Sequence, residues 1–296
     1  MKKYIFGILF GILLTLFTLY VVLDAFVIVR VYEPIGSTTE NDVALEIPEA
    51  EPIVTETSYS DENISIEITT HRAYDTDIYV ADVKLTSVDY LKCAFAKDTF
   101  GKNITEKTSE IASSKDAIFA VNGDFYGAQN DGYVIRNGVL YRANTVKNKD
   151  ALVIGADGSF EIILEKDVPA ERLFENGARH VFSFGPGLLI NGELAGTIDR
   201  YKGNSLTSNP RTAIGIIDEL HYVFVVCDGR TSDSRGLSVK ELAKFMQTLN
   251  VKCAYNLDGG GSTTMFFNGR VVNKPTTYGD KFEERSVSDI VYIGYR

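Results

Sequence analysis

The chain has 296 residues, 45% of them hydrophobic, which is enough for a packed core in one sizeable domain or two small ones. The formal net charge is −10, and seven acidic residues with no Lys or Arg fall within residues 31–60. Most of the negative charge therefore belongs to one segment. Nucleic-acid binding normally requires a basic patch, and its absence excludes that class of partner.

The first predicted element is a membrane anchor. From Tyr4 to Val29 the sequence is almost continuously apolar, with Asp24 as its one charged residue, and Lys2 and Lys3 precede it. About 20 such residues cross the hydrocarbon core of a bilayer. The segment is longer than a usual signal-peptide core and lacks an evident cleavage site after it, which favours an uncleaved anchor over a removed signal. The two lysines predict a single-pass protein of the cell membrane with an extracellular C-terminal domain.

The anchor, residues 1–30, is followed by a segment without periodicity. Residues 31–62 are acidic and hold three of the seven prolines, which predicts an extended, solvated stalk. From residue 63 onward the sequence "ISIEIT" alternates apolar and polar side chains as a half-buried strand does. A single globular domain is therefore predicted over residues 63–296.

This domain combines two patterns. Asn-Gly pairs between alternating runs, in "YVIRNGVLYR", "LLINGEL" and "MFFNGRVV", predict β-hairpins, because Asn and Gly tolerate the positive φ of a type I′ turn. Elsewhere "HYVFVVCDGR", "SVKELAKFMQTLN" and "KCAYNLDGGG" indicate a strand, a capped helix and a strand, and a similar unit runs from "KCAFA" to "AIFAVNGDFYG". The predicted fold class is α+β: a mixed sheet with strand-helix-strand units and several hairpins.

Polar residues follow the strands of these units. The strands that flank a crossover helix run parallel, so Asp228 and Asp258, each at the end of one, should lie at the same edge of the sheet. Asp124 reaches that edge if its strand joins the sheet. Arg211, Arg230 and Gly185 occur in neighbouring loops, where an Arg can clamp an anionic oxygen.

The stretch "YNLDGGGSTTMF" contains three consecutive glycines. A phosphate-binding P-loop is excluded because no Gly-Lys-Ser/Thr follows, and a nucleophile elbow because a strand is expected next rather than a helix. What remains is a sharp bend whose backbone N–H groups can approach a ligand closely.

Together "VNGDFYG", "FGPGLLING", "NPRTAIGI", "VCDGR", "YNLDGGGSTTMF" and "ERSVSDIVYI" resemble the phosphodiester glycosidase family, over roughly residues 90–296. Membrane-anchored bacterial members are often labelled exopolysaccharide-related, which fits the predicted anchor. The resemblance implies hydrolysis of the bond between the anomeric carbon of a sugar and a phosphate oxygen, with a carbohydrate or sugar-phosphate substrate. It maps family positions onto Asn122, Gly185, Arg211, Asp228, Arg230, Asp258, Gly259, Gly260, Ser262 and Arg285.

The roles that follow are hypotheses. Asp258 is assigned as nucleophile or base, Asp228 as second carboxylate, and Arg211 with Arg285 as phosphate clamp, while Ser262 and the glycine N–H groups orient sugar or phosphate. Asp124 replaces a glycine common in the family; it could be an extra catalytic or cation-binding group or a tolerated turn residue.

The sequence leaves alternatives for the cofactor and for the function. A divalent cation, calcium or magnesium, is possible because Asp and Asn oxygens suit these ions. Two other functions are a non-catalytic surface module that binds an anionic polysaccharide and an enzyme that cleaves within a wall polymer.

Overall fold

The computed structural model describes residues 2–37, 45–201, 206–278 and 281–296. Its helices are α1 (Lys2–Phe26), α2 (Thr108–Ser114), α3 (Ala170–Glu175) and α4 (Val239–Thr248). Its strands are β1 (Arg30–Val31), β2 (Gly36–Ser37), β3 (Ile53–Val54), β4 (Ser58–Ser60), β5 (Ile64–Ala73), β6 (Thr76–Leu85), β7 (Leu91–Phe95), β8 (Gly101–Lys102), β9 (Phe119–Asn122), β10 (Val134–Arg136), β11 (Val139–Arg142), β12 (Asp150–Ile154), β13 (Phe160–Leu164), β14 (His180–Phe182), β15 (Gly187–Ile190), β16 (Glu193–Leu194), β17 (Arg211–Asp218), β18 (His221–Cys227), β19 (Cys253–Asn256), β20 (Met265–Phe267), β21 (Arg270–Val271), β22 (Thr276–Tyr278), β23 (Lys281–Phe282) and β24 (Asp289–Ile293).

Helix α1 contains a stretch, Tyr4–Phe26, that is long and apolar enough to cross a membrane. Its apolar side chains are exposed along the whole stretch, so they do not contribute to the core of the domain. An exposed apolar helix of this length is compatible with a membrane anchor or a signal sequence.

The segment predicted as a stalk contacts the domain in three places. Strand β1 pairs with β8, and β2 pairs with β11. Further along, β3 and β4 form the edge of a large sheet next to β5. These parts are sheet edges rather than solvated chain, because their backbone groups find partners on the domain. Residues 38–44 of the predicted stalk lie outside the described residues.

The largest sheet has nine strands in the order β16-β15-β19-β17-β18-β6-β5-β4-β3. Strands β18 and β19 flank helix α4 along the chain, but β17 lies between them and pairs antiparallel with both. The two flanking strands therefore run in the same direction, as predicted, and their carboxyl ends lie at one edge. Because β17 runs the opposite way, its first residue, Arg211, lies at that same edge.

A five-stranded sheet repeats this arrangement with the order β21-β20-β9-β24-β7. Strands β7 and β9 flank helix α2 along the chain, and β24 lies between them, antiparallel to both. The second strand-helix-strand unit predicted from the sequence is confirmed. A six-stranded sheet, β13-β12-β14-β10-β11-β2, completes the body of the domain.

The nine- and five-stranded sheets pack face to face around one core. The rings of Phe119 and Phe224, one from each sheet, have centroids 4.9 Å apart. Helix α4 covers the opposite face of the nine-stranded sheet with Leu242 and Met246, and α2 covers the outer face of the five-stranded sheet with Ile111. Apolar residues therefore fill three interfaces between successive helix and sheet layers, and the α+β class is confirmed.

The local predictions also hold. Each Asn-Gly pair forms the turn of a hairpin, with φ of +50° and +73° at Asn137 and Gly138, for example. Ser238 caps helix α4 and shares a capping box with Glu241. The three cysteines are buried and free.

A buried cluster of charges ties two sheets together. Arg136 of the six-stranded sheet lies 2.9 Å from a carboxylate oxygen of Asp124 and 2.9 Å from one of Asp289. The guanidinium carbon lies 4.1 Å from the centroid of the Phe182 ring, and the backbone N–H of Ser183 donates to Asp124 over 2.8 Å. Burial raises the pKa of Asp289 to about 7, against the opposing effect of the Arg136 cation. Since all three charged side chains are buried, each depends on the others.

Replacing Arg136 by Leu should destabilise the domain, because it leaves two buried carboxylates without their cation. We expect the free energy of unfolding to fall by about 3–5 kcal/mol. Chemical denaturation of the full chain in detergent measures this difference. The matched control is Arg172→Leu on the exposed face of α3, which should change stability by less than about 0.5 kcal/mol. Equal effects of the two substitutions would contradict the role given to the cluster.

Candidate active site

The edge of the nine-stranded sheet described above gathers most residues predicted for the site. Asp228 directly follows β18, Asp258 lies two residues after β19, and Arg211 begins β17. Asn122, the last residue of β9, approaches the same edge from the five-stranded sheet. The candidate site therefore lies where the two packed sheets end together.

Asn122 joins these strand ends by hydrogen bonds. Its side-chain N–H donates to the backbone carbonyl of Asp258 over 2.7 Å. The side-chain carbonyl oxygen of Asn122 accepts from the hydroxyl of Thr212, 2.7 Å away, and from the backbone N–H of Thr264, 3.3 Å away. The backbone N–H of Asp258 also donates to the carbonyl of Gly123 over 3.2 Å. These bonds fix the chain on both sides of the triple glycine relative to the five-stranded sheet.

The carboxylate of Asp258 is held by donors on both oxygens. One oxygen accepts from the backbone N–H of Gly259 at 2.8 Å, and the other accepts from the hydroxyl of Ser262 at 2.6 Å and from Arg285 at 3.0 Å. Arg285 donates to the Ser262 hydroxyl oxygen as well, over 2.6 Å from its Nη2 atom. Asp258, Ser262 and Arg285 therefore form one connected unit.

Burial and charge act in opposite directions on Asp258. The residue is 8% exposed, and burial raises the pKa of its carboxyl above the ordinary value. The Arg285 cation and the hydrogen bonds from Ser262 and Gly259 lower the pKa and so oppose this shift. The side chain of Arg285 is 41% exposed, so this cation also faces the solvent where a ligand would arrive.

A small cleft opens beside Asp258. Its volume is about 50 Å³, and Asn103, Gly123, Phe125 and Ser286 are among the residues that line it. This is space for only a few water molecules. The ring of Phe125, a residue that is 40% exposed, lies 5.9 Å from the guanidinium carbon of Arg285. An aromatic ring and a cation thus stand near the same carboxylate.

The glycines after Asp258 form a tight turn at Gly260–Ser262. A Cβ at Gly259 would lie 2.8 Å from the backbone carbonyl oxygen of Pro210. Gly260 has φ of +63°, and a Cβ there would lie 2.7 Å from a terminal nitrogen of Arg230. Close approach of the Pro210 backbone therefore requires glycine at position 259, and the left-handed φ favours glycine at position 260, where the exposed Arg230 lies against the loop.

Asp228 lies at the predicted edge of the sheet, but it is only 2% exposed, and protein groups donate hydrogen bonds to both of its carboxylate oxygens. It accepts hydrogen bonds from Tyr79 at 3.1 Å, from the backbone N–H of Lys274 at 2.8 Å and from Asn273 at 3.4 Å. Burial raises the pKa of Asp228, and these donors oppose the shift. Asn273 also donates to the carbonyl of Thr263, so Asp228 supports the glycine loop from behind.

The other predicted residues occupy different positions. Arg211 is 7% exposed and donates to the carbonyls of Leu237 and Thr207 at 3.0 and 2.9 Å. The carbonyl of Gly185 accepts from Asn256 at 2.8 Å, next to β19. Asp124 belongs to the buried Arg136 cluster of the core. The structure therefore brings Asp258, Ser262, Arg285 and Arg230 together, with Arg211 and Asp228 behind them.

Two residues of the cleft, Asn103 and Ser286, were not among the predicted site residues. Tertiary contacts alone bring Asn103 to the cleft, whereas Ser286 directly follows Arg285 within the motif "ERSVSDIVYI". The part of the chain that the structure describes shows no cluster of metal ligands for the predicted cation. No three His, Cys, Asp or Glu side chains lie close enough together to hold a metal ion within residues 2–37, 45–201, 206–278 and 281–296. The calcium or magnesium expectation stays a prediction.

Comparison with known proteins identifies the family to which the domain belongs. The family comparison indicates a glycosidase-type hydrolase. The chain belongs to the phosphodiester glycosidase family, whose sequence model matches residues 115–294. This range contains the catalytic and ligand-binding residues predicted above.

Two curated relatives and one solved structure illustrate the similarity. The prophage-derived uncharacterized protein YomE of Bacillus subtilis is 27% identical over 201 residues, 66% of this chain. The human N-acetylglucosamine-1-phosphodiester alpha-N-acetylglucosaminidase is 28% identical over 186 residues, 57% of this chain. The matched regions cover only 31% and 35% of the lengths of these two proteins. The catalytic domain of the zebrafish enzyme of the same name shares the fold, with a TM-score of 0.63, 20% identity, and coverage of 91% of this chain and 88% of that one.

Adding a methyl group at Gly259 should displace the loop that carries Asp258, because the facing Pro210 carbonyl is backbone and cannot rotate away. We expect Gly259→Ala to lower the free energy of unfolding by about 1–3 kcal/mol. Gly196→Ala is the matched control, since a Cβ there meets open space. Denaturant titration of both variants measures the difference. A Gly259→Ala variant as stable as the control would show that the loop is not packed as described.

Proposed function

We propose that this chain hydrolyses a sugar-1-phosphodiester, breaking the bond between the anomeric carbon and the phosphate oxygen. The observation that carries the proposal is the Asp258 carboxylate, bound to Arg285 and Ser262 at a cleft beside a glycine loop. Hydrolysis at an anomeric carbon needs a carboxylate near that carbon, and a departing phosphate needs positive charge. The names of the human and zebrafish relatives support N-acetylglucosamine in alpha linkage as the first sugar to test.

Asp258 is the residue that we place next to the anomeric carbon, as nucleophile or base. Its carboxylate borders the cleft, and the donors on its two oxygens orient it. Ser262 holds the carboxylate and shares Arg285 with it, so the serine acts as an orienting group rather than a nucleophile. A phosphate monoester is a good leaving group, which reduces the need for a second acidic residue.

The phosphate clamp that the geometry favours is Arg285 with Arg230. Both have side chains that reach the solvent and flank the glycine turn, whereas Arg211 is buried. Arg230 also donates to the side-chain oxygen of Asn209 at 3.1 Å, which holds its guanidinium beside the turn. Arginine presents parallel N–H groups that match phosphate oxygens, and backbone N–H groups of the glycines can add to them. Arg211 then contributes positive charge from behind, and Asp228 positions the loop through Asn273.

Entry of a sugar into the cleft needs a movement, because the cleft holds only a few water molecules. Phe125 is the side chain that we expect to move, since it is exposed and stands at the cleft beside Arg285. In the open position its ring can stack on the face of a sugar. Helix α1 would hold the enzyme in the cell membrane as a single-pass anchor, with the domain outside the cell acting on a cell-envelope glycan or glycophosphate.

Asp258→Asn should lower kcat for the methyl diester of N-acetylglucosamine 1-phosphate at least about a thousandfold, because it removes the reacting carboxylate. Asp228→Asn is the matched comparison and should retain activity within about tenfold, since its oxygens bind only protein groups. Release of N-acetylglucosamine by purified full-length enzyme measures both. Full activity of Asp258→Asn would overturn the assignment. Wild-type binding of the diester without any product would favour a binding module instead.

The pH profile should report the ionisation of Asp258. Its carboxyl must be ionised to act, and burial raises its pKa, so activity should rise with pH above the range of an ordinary aspartate. Arg285 lowers this pKa, and Arg285→Gln should therefore move the acidic limb of kcat/KM to higher pH. Arg230→Gln is the control, which should weaken binding and leave the limb in place. If the acidic limb of kcat/KM is unchanged in Arg285→Gln, or moves to lower pH, the ionisation of Asp258 does not control the rate as described.

A further inference from the structure

The end of helix α1 is bound to the domain at the candidate cleft. The Nζ atom of Lys102 lies 3.1 Å from a carboxylate oxygen of Asp24. The side-chain N–H group of Asn103 donates to the carbonyl of Asp24 over 3.2 Å and to that of Ile28 over 2.9 Å. Strand β1, which follows the helix, pairs with β8. The helix end is therefore fixed to β8 and Asn103 rather than separated from the domain by a free tether.

The length of the helix sets the depth of this junction in a bilayer. The span Tyr4–Phe26 has 23 residues. At 1.5 Å per residue it is about 34 Å long, close to the thickness of the hydrocarbon core, about 30 Å. Asp24 pairs with Lys102 and with Arg30, and such charged groups are costly within the core. The junction therefore lies at the level of the lipid headgroups.

Asn103 belongs to both the junction and the cleft. Its side chain binds the helix end, and the same residue lines the cleft together with Asp258. Each headgroup layer is about 5–7 Å thick, comparable to the size of one side chain. The cleft consequently opens at or just above the headgroup layer, where the phosphate of a membrane lipid is found.

A second cavity adjoins the same strand. It has a volume of about 510 Å³ and lies between the chain after the anchor, at Tyr32, and the rings of Phe100, Tyr126 and Tyr141. Lys102, which pairs with Asp24, also lines it. Tyrosine is enriched at the boundary between lipid and water because its ring is apolar and its hydroxyl is polar. Tyr32 is 44% exposed, whereas Phe100 and Tyr126 are buried behind it. Tyr32 is therefore the ring of this cavity that suits contact with the bilayer interface.

We propose that the substrate is a glycosyl-1-phosphodiester whose second ester oxygen carries a lipid, so that its sugar phosphate reaches the cleft from the membrane surface. This inference rests on the proposed function. Water adds to the anomeric carbon and the bond from that carbon to the phosphate oxygen breaks. The products are the free sugar and a lipid phosphate monoester, and the proton of the water passes to the solvent through Asp258. A flexible tether would serve a distant polymer, whereas a fixed junction presents the cleft to a substrate in the bilayer.

Two diesters of N-acetylglucosamine 1-phosphate test this proposal with the full chain in phosphatidylcholine vesicles. The hexadecyl diester resides in the bilayer, and the methyl diester stays in solution. We expect kcat/KM for the hexadecyl diester to be at least about tenfold higher, because substrate and cleft share one surface. Equal rates would overturn the lipid proposal and leave the proposed function standing. Failure to cleave either diester would overturn both.

Charge substitutions at the junction separate docking from simple membrane binding. Asp24→Lys places like charges next to Lys102 and should reduce the preference for the hexadecyl diester several-fold, with the methyl diester cleaved as before. Combining Asp24→Lys with Lys102→Asp restores an ion pair and should restore the preference. Flotation with vesicles checks that both variants are embedded. An unchanged preference in Asp24→Lys would show that the docked helix end does not place the cleft, and would overturn the inference.

Discussion

The side chain of Asn122 is the constraint on which the candidate site depends. One amide group holds three pieces of chain: the carbonyl of Asp258, the hydroxyl of Thr212 and the backbone N–H of Thr264. An aspartate here could not donate to the Asp258 carbonyl, and a leucine could neither donate nor accept. Because the residue is fully buried, each lost bond would leave a polar group without compensation from water. The packed sheets therefore position the reactive loop through this side chain, together with the backbone bond from Asp258 to Gly123.

Two carboxylate–arginine arrangements in the same domain show how exposure changes the role of the same chemistry. Around Arg136 every charged side chain is buried and paired with a neighbour, so the cluster can only stabilise the structure. At Asp258 the carboxylate is nearly as buried, yet Arg285 is 41% exposed. The cation can therefore bind an incoming anion while it still orients the carboxylate. An ion pair whose cation is exposed is suited to catalysis, whereas an ion pair that is wholly buried is suited to stabilising the structure.

Much of the fold followed from local signals in the sequence. The Asn-Gly hairpins and the capped helix α4 depend on residues close in the chain, and both were predicted with their boundaries nearly right. The direction of β18 and β19 also followed, because a crossover helix fixes it. The sequence could not show that β17 inserts between them, since strand insertion is decided by contacts distant in the chain.

The candidate site was less predictable for the same reason. Asp258 and Arg285 were proposed together from a resemblance, and the structure brings their side chains to 3.0 Å. Asp124 looks equally available in the sequence, but Arg136 from a separate hairpin binds it in the core. Asp228 lies at the predicted edge, and its partners Tyr79 and Asn273 come from distant strands and loops. The strand pattern of the sequence places a residue at the edge of a sheet. The side chains that surround the residue decide whether it can bind a ligand.

The most direct test is a crystal structure of the Asp258→Asn variant with the intact methyl diester of N-acetylglucosamine 1-phosphate. We expect the anomeric carbon about 3–3.5 Å from the side chain at position 258, with phosphate oxygens on Arg285 and Arg230. A diester bound instead in the larger cavity, beside Tyr32 and Tyr141 and away from position 258, would contradict the assignment of the active site.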